Sequence, residues 1–131
     1  MSEKASRDRP NFLVIMSDEH GPMFSSAYGH PIVKSPNMDR LGDEGATFDA
    51  AYCNSPLCVP SRLSFMTGKY VSKCRGWDNA SPLPVDVLTW PYLLRSVGYD
   101  AVLSGKMHLV GTDRLHGFSE QLAYDPHGGG E

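Results

Sequence analysis

At 131 residues, with 40% apolar and 21% charged residues, the chain has the composition of an ordinary globular protein. It has room for one domain that buries roughly two thirds of its unfolded surface. Twelve Lys and Arg against fifteen Asp and Glu give a formal charge of -3, which lacks the basic surplus of a nucleic-acid binder. Met1 to Pro10 read as a polar tail followed by no apolar run long enough for a signal peptide or a membrane span, so the expectation is a cytoplasmic protein without membrane association.

Asn11 to Met16 (N-F-L-V-I-M) is an almost unbroken apolar run, the pattern of a strand buried on both faces of a parallel sheet. The polar cluster Ser17-Asp18-Glu19-His20-Gly21 follows at once, where open α/β sheets gather their ligands. Ser35 and Pro36 predict a capped helix with Met38 and Leu41 on one face and Gly45 as its stop. Alternating Ala46, Phe48, Ala50 and Tyr52 predict a second strand. After Cys58, Pro60 suits a first helical position, and Val59, Leu63 and Met66 keep helical spacing as far as Gly68. This places Cys58 at a helix N-terminus. Val71 to Val85 read as a long loop anchored by Trp77. Thr89 predicts the cap of a helix whose stripe is Trp90, Leu94 and Val97 and whose stop is Gly98, followed by a strand from Tyr99 to Leu103. Strands and helices in this order, with short connections, imply an α/β sheet flanked by helices.

Cys53, Cys58 and Cys74 are an odd number with no paired metal-site spacing, which indicates neither a disulfide framework nor a zinc ribbon. Cys58-Val59-Pro60-Ser61-Arg62, followed by Thr67-Gly68-Lys69, is the most specific signal in the chain. Only three residues separate Cys58 from Arg62, whereas a thiolate phosphatase loop needs five. Cys-x-Pro-Ser-Arg resembles the core signature of the sulfatase family, with Lys69 where the family usually has Arg. The opening Pro10 to Asp18 and the later Gly105-Lys106-Met107-His108 also resemble that family, in its own order. The stretch Leu103 to Phe118 resembles choline-sulfatase-like members, and the run Asp78-Asn79-Ala80 resembles both those and phosphonate monoester hydrolases. The likeness extends from about Asn11 to Asp125.

The resemblance implies an alkaline-phosphatase-like α/β fold, a mixed or parallel sheet flanked by helices and incomplete at the C-terminus. On this reading residues 1–10 are a tail and residues 11–131 the N-terminal part of a catalytic domain. It implies that Cys58 is oxidised by a formylglycine-generating enzyme to an aldehyde, whose hydrate attacks the sulfur of a small anionic sulfate ester. The second hydroxyl of that diol then expels sulfate, whereas a plain serine would be stranded as a stable ester. Arg62 and Lys106 would hold anionic oxygens, and His108 would move a proton at the leaving alcohol or the diol. Asn79 would touch the anionic group. Asp18 and Glu19, with the modified Cys58, would hold a divalent metal, calcium first, with manganese and magnesium as alternatives.

His20, His30, His116 and His127 lack such context and read as surface or packing residues. The alternatives are a phosphonate or phosphate monoester hydrolase on the same scaffold, and a truncated fragment without catalysis. The isolated chain is expected to be weakly active or inactive, and its oligomeric state is open.

Overall fold

In the computed structural model, which describes residues 9–123 and residue 125, helices form where a proline or a polar cap opens a segment and a glycine follows it. Most of the predicted tail, residues 1–8, lies outside the described residues. The chain divides into two compact units, Met1–Ala50 and Ala51–Glu131. Among the described residues, no helix is long and apolar enough to cross a membrane.

The first unit contains two short 3-10 turns, Pro22–Phe24 and Ser26–Tyr28, and helix α1, Pro36–Glu44. α1 begins after Ser35 and ends before Gly45, as its sequence predicts. The Ser35 hydroxyl, however, does not cap it. It joins a polar knot in which Ser26 Oγ lies 2.7 Å from Ser35 Oγ and donates to both carboxylate oxygens of Asp39, at 2.9 and 2.8 Å. Ser25, beneath it, is buried.

Neither predicted strand of this region forms. Asn11 to Met16 and Ala46 to Tyr52 carry no strand, and Leu13, Ile15, Phe48 and Tyr52 are exposed. An apolar or alternating pattern states which side chains a strand would bury, but the strand exists only when a neighbour completes its ladder. Among the described residues the ladder that forms is elsewhere, in the second unit.

That second unit contains α2 (Cys58–Thr67), the single turn α3 (Val71–Cys74), α4 (Trp90–Ser96), β1 (Val102–Leu103) and β2 (Glu120–Gln121). α2 starts two residues before Pro60, which the first turn tolerates because its amides need no intrahelical acceptor. It closes with Gly68 in the left-handed region at φ 66°, where the Gly68 N–H reaches Ser64 O at 2.9 Å. Val59, Leu63 and Met66 are fully buried and form one wall of a core completed by Cys74, Leu83, Ala101, Leu103, Met107, Leu109 and Phe118.

The long loop is anchored by Leu83 rather than Trp77, which is exposed. It passes close to α2 at Gly76, where a Cβ would lie 2.9 Å from buried Leu63 Cδ1. α4 ends at Ser96, so Val97 leaves the predicted stripe and is exposed. Trp90 stays half-buried, edge-on to Phe65 at 5.8 Å and to Phe118 at 5.5 Å. Thr89 takes the cap position but its hydroxyl goes to His116 O at 2.5 Å, tying the start of α4 to a distant loop.

β1 falls inside the predicted strand Tyr99 to Leu103 and pairs in parallel with β2, Val102 opposite Glu120 and Leu103 opposite Gln121. Bonds from Ser119 N to Ala101 O (2.7 Å) and from Leu122 N to Leu103 O (2.8 Å) extend the ladder at both ends. The loop between the two strands folds back on α4. The Asp113 carboxylate accepts the N–H groups of Leu115 and His116, each at 3.0 Å, and Tyr92 OH donates to it at 3.2 Å. Burial would raise the Asp113 carboxyl, but the two N–H bonds prevail and hold it below the usual carboxylate range. Burial pushes the His116 imidazole down and, with Asp113 adjacent, the Tyr92 phenol up.

Candidate active site

Cys58 is the first residue of α2, preceded by Leu57 in extended conformation. Leucine has no oxygen with which to cap a helix, and the need is met from twenty residues away: Asn79 Oδ1 accepts the Val59 N–H at 3.1 Å. Ser61 Oγ donates to Cys58 O at 3.0 Å and helps to close the first turn. The N-terminal end of α2, where backbone N–H groups favour negative charge, therefore lies at a half-buried thiol.

Two sequence motifs meet here. The Lys106 ammonium lies 3.6 Å from Cys58 Sγ. The buried Arg62 guanidinium donates through one terminal nitrogen to Lys106 O at 2.9 Å. Arg62 thus supports the lysine from behind while carrying a second positive charge into the region. Two cations from segments more than forty residues apart in sequence converge beside the one half-buried cysteine, an arrangement suited to an anionic group at that sulfur.

His108, half-buried, stands two residues beyond Lys106 with its backbone in the left-handed region at φ 54°. Its N–H and that of Met107 both go to Asp125 Oδ2, the Met107 bond measuring 2.8 Å. Asp125 is buried and carries no sequence signal: an Asp before a Pro reads as a turn, and its partners are 17 and 18 residues away. A cavity of about 290 Å3 borders this region, lined among others by Leu103, Met107, Arg114 and Asp125, and none of Cys58, Arg62, Lys106 or His108 lines it.

Asn79 is brought to α2 as a cap, with its side chain one residue from Cys58. Asp18 and Glu19 belong to the first unit and are exposed, with Glu19 in the left-handed region at φ 54°. Their oxygen donors suit a hard cation. Among the described residues, no group of three or more His, Cys, Asp or Glu side chains is gathered for a metal. Of the remaining histidines, His20 Nε2 bonds Phe24 O, His30 Nδ1 accepts the N–H groups of Ile32 and Val33, and His116 is buried; His127 lies outside the described residues.

The family model for sulfatases matches residues 10–128. A choline-sulfatase of Rhizobium meliloti (strain 1021) is 42% identical over 118 residues, covering 89% of this chain and 23% of the relative. The steryl-sulfatase of Homo sapiens is 35% identical over 119 residues, covering 82% of this chain and 20% of the relative. The solved structure of BT4656 in complex with its substrate D-glucosamine-2-N,6-O-disulfate superposes with a TM-score of 0.81 at 38% identity, over 86% of this chain and 22% of that one. The chain thus spans about a quarter or less of the length of these proteins.

Proposed function

The chain belongs to the sulfatase family, with part of its alkaline-phosphatase-like α/β fold, and from that premise we propose that it serves the hydrolysis of sulfate esters at Cys58. The observation that carries this reading is the approach of the Lys106 ammonium to Cys58 Sγ, with Arg62 bonded to the lysine's own carbonyl. Matured to formylglycine by a dedicated enzyme, position 58 supplies a hydrated aldehyde as nucleophile. The oxygen donors of Asp18 and Glu19 suit a divalent cation, calcium first, whose charge would offset that of a sulfate ester.

The chain's own residues do the rest. Lys106 binds an anionic oxygen of the ester next to position 58, and Arg62 keeps Lys106 in place while adding to the positive potential. His108 serves as the proton carrier, a role for which an imidazole is suited because it can both donate and accept. Asn79 holds the first turn of α2, so that the nucleophile keeps a fixed direction. The substrate class is a small sulfate ester in the cytoplasm.

Because the 131-residue chain alone is expected to be weakly active or inactive, the test uses a full-length form that carries it, made in a host with a formylglycine-generating enzyme, where maturation removes about 18 mass units from position 58. Aryl sulfate turnover should appear with calcium, vanish in Cys58→Ala, and fall on the order of a hundredfold or more in Lys106→Ala. Matured protein that turns over aryl sulfate no faster than Cys58→Ala overturns the reading. Faster turnover of an aryl phosphonate would reassign the ester.

A further inference from the structure

We propose that Asp125 is a positioning residue for this site, acting as the internal anion that fixes the Lys106–His108 loop and with it the ammonium beside Cys58. The inference rests on the sulfatase reading for its meaning in catalysis, but its geometry stands independently. One oxygen of Asp125 accepts two successive backbone N–H groups, those of Met107 and His108. The two amides belong to neighbouring residues, and the second, His108, has its backbone in the left-handed region at φ 54°, within the kind of turn whose amides gather on an anion. That conformation is uncommon for a residue with a side chain and persists where its surroundings hold it. The carboxylate of Asp125 is that support. It is buried at 7% exposure, a place where an anion is stable only if hydrogen-bonded.

The loop is held from both sides. Arg62 donates to the carbonyl of Lys106, and Asp125 accepts from the next two amides, so the peptide groups around Lys106 are fixed and its ammonium lies 3.6 Å from Cys58 Sγ. Removing Asp125 takes away the oxygen shared by the buried Met107 amide and the half-buried His108 amide, which loosens the loop and lets Lys106 swing away from the sulfur. Asparagine at 125 keeps an acceptor oxygen for the same two amides and should preserve the loop, whereas alanine should not.

Cys58 itself reports the position of Lys106. In the 131-residue chain made without the maturing enzyme, the rates of alkylation at Cys58 by iodoacetate and by iodoacetamide are measured peptide by peptide. Exposed Cys53 is the internal reference. A nearby ammonium favours the anionic reagent, so the iodoacetate to iodoacetamide ratio should be higher at Cys58 than at Cys53. It should fall about threefold in Asp125→Ala and in the control Lys106→Gln, and stay near the parent value in Asp125→Asn. An Asp125→Ala protein with native circular dichroism and an unchanged ratio overturns the proposal, as does loss of the ratio in Asp125→Asn equal to that in Asp125→Ala.

Should Asp125→Ala fail to fold, amide exchange in the parent decides. The Met107 and His108 N–H groups should exchange at least about tenfold more slowly than in an unstructured peptide, and unprotected amides there overturn the proposal. Failure of the sulfatase reading looks different: no ester turnover in matured protein, while the alkylation ratio still drops in Asp125→Ala.

Discussion

Asn79 shows how one side chain can serve a site through the backbone that carries it. Leu57 leaves the start of α2 without a cap of its own, and Asn79 Oδ1 supplies the acceptor for Val59 N–H. Asn79→Ala should therefore lower stability by about 1 kcal/mol, read as a shift in the urea midpoint with unchanged slope, while Asn79→Asp retains most of it. A midpoint unchanged in Asn79→Ala would mean that the cap is idle. At this scale the sequence was informative wherever chemistry is encoded in contiguous letters. Cys58, Arg62, Lys106 and His108 stand in two short motifs, and three of the four are linked through the Cys58–Lys106 and Arg62–Lys106 contacts. Asp125 was not legible, because an acceptor for two main-chain amides needs only an oxygen in the right place and leaves no pattern around itself. The Asp78-Asn79-Ala80 run points to Asn79, but its bond to Val59 N–H depends on the path of a loop that sequence does not specify.

Helices and strands differ in how far they can be read in advance. α1, α2 and α4 begin and end close to their predicted limits because Pro36, Pro60, Gly45 and Gly68 act within one turn of chain. Strands are contracts between distant segments, and Asn11 to Met16 has the composition of one without forming it. The connection between β1 and β2 also carries a titratable lock. His116 is fully buried, neither ring nitrogen has a hydrogen-bond partner, and Asp113 Oδ2 is 3.6 Å from Nδ1. Asp113 is the ionisable group against it and is itself bonded by Tyr92 OH, while Arg95 donates to Gly117 O at 3.3 Å. Because burial depresses the folded imidazole, the unfolded chain takes up a proton first as pH falls through the ordinary value of 6.5. Stability should thus be full above that pH and decline below it. The depressed Asp113 carboxyl acts the same way only below its ordinary 3.8. Urea midpoints measured from pH 7.5 down to 5 should fall for the parent and change less in His116→Phe. Equal slopes for the two proteins would remove His116 as the cause.

On the scale of the molecule, the two units differ in what holds them. The second has an apolar core built on Val59, Leu63 and Met66, while the buried anchor of the first is Ser25 within a knot of hydroxyls and the Asp39 carboxylate. Leu13 and Ile15 are 86% and 80% exposed in a run of six residues that is otherwise apolar except for Asn11. A contiguous patch of that kind favours self-association. Leu13→Lys with Ile15→Lys should reduce light scattering and dye binding at high concentration and leave the second unit's melting within about 0.5 kcal/mol of the parent. Scattering that does not change would place the sticky surface elsewhere. The links that build the site are long in sequence: Asn79 to Val59 spans 20 residues, Arg62 to Lys106 spans 44 and Lys106 to Cys58 spans 48. Loop-closure entropy makes the last of these about 0.8 kcal/mol more costly to close than the first, whereas α2 can wind from neighbours alone. During refolding the helix bearing the thiol should therefore be regained early and its electrostatic surroundings late, leaving an interval in which position 58 stands at a helix end with no cation yet beside it.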